Sequence, residues 1–116
     1  MCWRMARRHR LRIAGVAYHV IQRGNNRMDI FKSDEDCEVF LALLGIAAGR
    51  HQAEIHAYTL MKNHAHLLVT PRTPKGIELT MQVVGSRYAG HFNHRYARTG
   101  ALFEGRYRAM VIDSDM

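Results

Sequence analysis

Hydrophobic and polar positions alternate and recur in a simple order along this chain. Gly15 precedes the run Val16-Ala17-Tyr18-His19-Val20-Ile21, whose β-branched and aromatic residues predict a strand. The polar cluster Arg23-Gly24-Asn25-Asn26-Arg27 predicts a loop after it. Ser33-Asp34-Glu35-Asp36 reads as a helix start. Ser33 is placed to cap the first turn, and three acids sit at the positive end of the helix dipole. Phe40, Leu43, Leu44 and Ala47 follow at helical spacing, and Gly49 is the expected terminator. Glu54–Tyr58 and His64–Thr70 read as two strands joined at the Lys62-Asn63 turn. Pro71 and Pro74 bracket the loop that follows. A second helix is predicted from about Ile77 to Tyr96, with Leu79, Val83, Val84, Tyr88 and Phe92 facing inward, and Arg98-Thr99-Gly100 breaks it. Arg106–Ile112 reads as a closing strand.

The order strand, helix, strand, strand, helix, strand is that of a split βαβ, or ferredoxin-like, α+β fold (βαββαβ). It places both helices on one face of an antiparallel sheet, leaves the other face open, and makes the first and third strands neighbours at its centre. The expected organisation is a single domain over residues 15–116, preceded by a basic arm over residues 1–14. A chain of 116 residues is long enough to bury a self-standing core.

Charge changes the picture. Lys and Arg number 17 against 10 Asp and Glu, a net charge of +7 with histidines neutral. Only Lys32, Lys62 and Lys75 are lysines, which leaves 14 arginines. Arginine's planar fork suits phosphate and guanine, so the balance points to a polyanion, nucleic acid above all. Cys2 and Cys37 form no metal or disulfide framework. No run approaches the ~20 apolar residues of a membrane span. The arginine-rich start is followed by no apolar stretch and is not a secretory signal, so a cytoplasmic protein with no membrane partner is expected.

His64-Ala65-His66 is the most informative tripeptide. Residues two apart on a strand share a face. Both imidazoles therefore project one way, while Ala65, Leu67 and Val69 project the other, under the helices. Two neutral imidazoles on one face make a half-site for a divalent metal. His19 lies on the adjacent strand, but register cannot be read from sequence. Arginines and aromatics interleave from Arg87 to Arg108. Tyr88, Phe92 and Tyr96 are expected in the core, whereas Arg98, Arg106 and Arg108 are candidate DNA contacts. Arg23, Asn25, Asn26 and Arg27 are candidates too, because asparagines can read base edges and arginines can anchor the backbone.

Three ordered blocks carry a family resemblance: Tyr18–Arg27, Tyr58–Val69 and Arg98–Tyr107. Together they resemble the REP-associated tyrosine transposases, members of the single-tyrosine HUH transposases. The resemblance runs from about Arg10 to the last residue. It implies the ferredoxin-like fold and DNA strand nicking and rejoining on hairpin-bearing single-stranded DNA. It further implies that His64 and His66 are catalytic metal ligands, usually for Mg²⁺ or Mn²⁺, and it leaves a homodimer open. The family's nucleophilic tyrosine lies on a further helix beyond the last strand. Tyr107 matches a different family position, so the expectation is a member truncated before that helix. Two histidines alone would favour Mn²⁺, Zn²⁺ or Ni²⁺ over Mg²⁺. The alternative expectation is a non-catalytic nucleic-acid-binding remnant of the same fold. An RNA-binding module is a weaker one, because the RNP aromatic signature is not evident.

Overall fold

The computed structural model describes residues 2–5 and 13–113. Five strands form one sheet: β1 (Cys2–Met5), β2 (Tyr18–Arg23), β3 (Ala53–Met61), β4 (His64–Pro71) and β5 (Arg108–Asp113). They lie in the order β1-β5-β2-β4-β3, and every pairing is antiparallel. Two helices, α1 (Asp34–Arg50) and α2 (Gly76–Arg95), pack on each other and over β3 and β4. The α+β architecture and the central β2–β4 pair are those expected. The addition is β1: Cys2–Met5, within the segment expected as a basic arm, pair with β5 at the sheet edge. The arginines of that arm from Arg7 to Arg12 lie outside the described residues. Among the described residues, no helix is long and apolar enough to cross a membrane.

Alternation along the central strands separates core from open face. Tyr18 and Val20 on β2, with Ala65, Leu67 and Val69 on β4, are buried under the helices. From α1 they meet Phe40, Leu44 and Ala47. From α2 they meet a stripe of Ile77, Met81, Val84, Tyr88 and Phe92 at spacings of three and four residues. Leu79 and Val83, expected inward, are only half-buried, because the stripe is centred on Tyr88 rather than beside it. Tyr88 and Phe92 are core residues as expected, while Tyr96 is half-buried.

Ser33 caps α1 as its sequence foretells, its hydroxyl accepting the Asp36 N–H at 3.2 Å. Gly49 does not end the helix. The helix runs to Arg50, and the chain turns at Gln52, which takes a left-handed φ of 58°. A glycine inside the last turn costs little, so the start of β3 rather than Gly49 decides where the helix stops.

Asp36 joins the two helices. It is fully buried and accepts hydrogen bonds from the Tyr96 hydroxyl at 2.6 Å, the Lys32 backbone N–H at 3.0 Å and His91 Nε2 at 3.0 Å. The first turn of α1 is thereby clasped to the last turns of α2. Burial disfavours the carboxylate, but the bonds from Tyr96, Lys32 and His91 outweigh it and hold Asp36 below its ordinary range.

Three loops are stitched together at one end of the sheet. Gly24 N–H donates to the Asn63 carbonyl, Asn25 N–H to Leu102, Glu104 N–H to Arg23, and Ile30 and Phe31 N–H both to Lys62. Gly24 is required there, since a Cβ would sit 2.2 Å from the Met28 carbonyl oxygen. Asn26 and Arg27 then take left-handed φ values of 54° and 59°, which turns the loop back toward Lys62-Asn63.

Two outcomes follow for stability. Asp36→Ala leaves three donors without their acceptor and should cost about 2–4 kcal/mol in urea unfolding. Because the folded-state value of Asp36 is lowered, its contribution is complete above the ordinary carboxylate range and lost as pH falls through the lower folded value. Wild type should therefore lose stability on acidification more steeply than Asp36→Ala. Equal acid sensitivity would contradict the clasp. Gly24→Ala should cost about 1–3 kcal/mol by overpacking and shift the amide resonances of Asn63 and His64, measured by urea unfolding and NMR.

Candidate nucleic-acid and metal site

In the β2–β4 register Ile21 faces His66, His19 faces Leu68 and Arg23 faces His64. Directly opposed residues on antiparallel strands share a face. Arg23, His64, His66 and His19 therefore lie together on the side of the sheet away from the helices. On β5, Arg108 opposes Ile21 and Met110 opposes His19, so they join the same face. The His64 and His66 ring centroids are 4.8 Å apart and the rings meet edge to face. The His19 and His66 centroids are 4.9 Å apart with ring planes differing by 9°. The expected pair is thus a row of three imidazoles.

Each member of the pair is held by a neighbour. Asn63 Oδ1 lies 2.7 Å from His64 Nδ1. An amide oxygen only accepts, so Nδ1 carries the proton and Nε2 keeps its lone pair. His19 Nε2 lies 2.7 Å from His66 Nδ1. When His66 donates this bond, its Nε2 is left free in the same way, as in metal sites where an outer partner orients the ligand. Burial lowers the His66 pKa below its ordinary value, helped by the charges of His19, His64 and Arg23. Burial alone lowers His19. Both shifts favour the neutral ring, the form that binds metals. The chemistry of the pair fits two nitrogens of a divalent-metal site. Among the described residues, no group of three or more His, Cys, Asp or Glu is placed to hold an ion.

Beside His64 lies a cavity of about 360 Å³, lined by Arg23, Gly24, Arg27, Asn63 and Glu104 as well. The stitched loops form its walls, which is how a left-handed Arg27 comes to stand near His64. A shallower, mostly apolar hollow borders His19 and His66 and includes Leu68 and Ile112. The sequence-derived candidates therefore divide. Arg23, Arg27, His64, His66 and Arg108 share one side of the molecule. Asn25 and Asn26 are exposed on the adjoining turn. Arg98 is drawn into its own loop, donating to Asn93 Oδ1 at 2.5 Å and to the Ala101 carbonyl at 3.3 Å. Arg106 and Tyr107 line a separate cavity with Gln22 and α2. Sequence reasoning missed Asn63 and left His19 undecided. The one signal for Asn63 was its place directly before His64 at the strand start.

Residues 12–115 match the family described as Transposase IS200 like. The comparison with curated proteins found no match. Among solved structures, a presumed transposase from Deinococcus radiodurans R1 superposes with a TM-score of 0.68 at 19% identity, covering 88% of this chain and 82% of that one. A REP-associated tyrosine transposase bound to a REP hairpin superposes with a TM-score of 0.67 at 14% identity. That match covers 89% of this chain, which spans 59% of the other's length. At such identities these likenesses speak for the fold, and it is the match along residues 12–115 that assigns the chain to the IS200-like transposase family.

Proposed function

We propose that this domain binds hairpin-bearing single-stranded DNA across the open face of its sheet and holds a scissile phosphate for metal-assisted strand nicking and rejoining. The observation that carries the reading is the His64–His66 pair, its rings 4.8 Å apart, beside a cavity lined by Arg23 and Arg27. A structural neighbour solved on a REP hairpin supports folded single-stranded DNA as the partner.

In this reading Arg23 and Arg27 grip the phosphates flanking the cut, and Arg108 extends the basic track along β5. Asn63 and His19 fix the ring orientations of His64 and His66, so that each Nε2 faces the phosphate. When bound between them, Mg²⁺ or Mn²⁺ would polarise that phosphate and offset the charge that develops on it. Tyr107 lines a different cavity and is not placed to attack that phosphate. Asn25 and Asn26, exposed on the adjoining turn, would meet bases or backbone beyond the cut, whereas Arg106 lines the separate cavity.

Fluorescence anisotropy with a labelled hairpin carrying a single-stranded tail tests this. Binding should weaken steeply with salt, and Arg23→Ala with Arg27→Ala should flatten the log–log salt slope by about two units. Mn²⁺ should tighten binding, and His64→Ala with His66→Ala should abolish that gain while leaving the salt-dependent part. Binding that ignores Mn²⁺ in wild type would leave the second reading, a non-catalytic DNA-binding remnant. That reading is favoured by the two-ligand count among the described residues.

A further inference from the structure

The register that sets His64 and His66 on the open face brings a donor of another kind beside them. On β3, Met61 directly opposes His64, and Thr59 opposes His66. Directly opposed residues on antiparallel strands share a face, with Cβ atoms about 5 Å apart. The Met61 side chain therefore flanks His64 on one side, while Arg23 opposes His64 from β2 on the other. Met61 is 48% exposed, so its flexible thioether is not locked by core packing. The charge around the pair is also distinctive. Among the described residues, no Asp, Glu or Cys joins the two imidazoles in a group that could hold an ion, and Arg23 and Arg27 share a cavity with His64. Neutral donors beside two guanidinium groups repel a singly charged ion less than a doubly charged one.

We propose that His64, His66 and Met61 form a site for a soft monovalent ion such as copper(I), with two imidazole nitrogens and one thioether sulfur as donors. This rests on the metal-binding reading of the imidazole pair and extends it to a second class of ion. The Asn63 amide oxygen holds the His64 Nδ1 proton, which leaves Nε2 as the donor of that ring. Thioether sulfur is a ligand that soft ions select, whereas Mg²⁺ and Mn²⁺ take oxygen in preference. The same two rings thus serve either class. A hard ion adds phosphate oxygens, in the reading above, and a soft ion adds Met61. Because its third donor belongs to the protein, the soft ion needs no DNA and shuts the hard ion out.

Silver(I), a diamagnetic and redox-inert stand-in for copper(I), tests this by NMR in chloride-free buffer. Cys2 and Cys37, the two cysteines, are replaced by serine so that no thiol competes. Should that protein fail to fold, wild type takes the first two equivalents at its thiols and the third is read. The Met61 methyl resonance and the His64 and His66 ring nitrogens should move together and saturate at one equivalent. Met28, Met81 and Met110 should stay fixed. Met110 is the sharpest control, since it opposes His19 on the same face. Met61→Leu should weaken silver binding about tenfold and leave the Mn²⁺ broadening of His64 and His66 unchanged. Silver should abolish that broadening when Met61 is present. An unmoved Met61 methyl, or equal silver affinity in Met61→Leu, would overturn the soft-ion site and leave the divalent half-site intact. Loss of Mn²⁺ broadening in Met61→Leu would overturn it too, since Met61 would then act on the fold of the pair. No response of His64 and His66 to either ion would overturn both readings.

Discussion

The antiparallel pairing of β2 with β4 is the constraint on which the rest depends. Both strands bury one set of alternate residues, Tyr18 and Val20 against Leu67 and Val69, beneath two helices. That burial fixes which face each of the others occupies. A slip of one residue would carry the histidines under the helices and the aliphatic residues into solvent, at a cost of several buried side chains. The site is thus specified by the hydrophobic core on the opposite side of the same two strands. Three imidazoles stand in a row because the residues between them are needed elsewhere.

The supporting devices act at the sheet's ends and on its helices. The Asp36 clasp ties the start of α1 to the end of α2, so that the helices cover the core as one layer. The loop stitching at Gly24, Asn63 and Glu104 holds Arg23 and Arg27 against His64. In the proposed reading, a phosphate-holding site would gain from such rigidity, because donors already in place need no further ordering when DNA binds. The same stitching separates two cavities, one polar beside His64 and one half-apolar above Gln22. One β2 dipeptide, Gln22-Arg23, faces both.

Much of this was legible in the sequence where the signal was local. The alternation in His64-Ala65-His66 told both the core face and the site face. Ser33 with its three following acids announced α1, and the order of elements gave the sheet topology. What stayed hidden depended on residues distant in the chain. His19 meets His66 across 47 positions, and Asp36 meets His91 across 55, so no spacing rule could pair them. His91 carries no local signal of its own, because its partner is a carboxylate at the start of α1. Gln22 carries no local signal either, since only the loop at Phe103–Tyr107 turns its surroundings into a cavity. The pairing of Cys2–Met5 with β5 was invisible for the same reason. A four-residue edge strand carries too little pattern of its own.

Two imidazoles on the open sheet face, those of His64 and His66, are proposed as the metal half-site of this IS200-like transposase domain. Paramagnetic line broadening by Mn²⁺ in a spectrum of the histidine ring nitrogens tests it directly. The expected result is broadening strongest at His64 and His66, weaker at His19, and absent at His51, His56 and His94. Broadening centred on any of those other rings, or none at all at millimolar Mn²⁺, would contradict it.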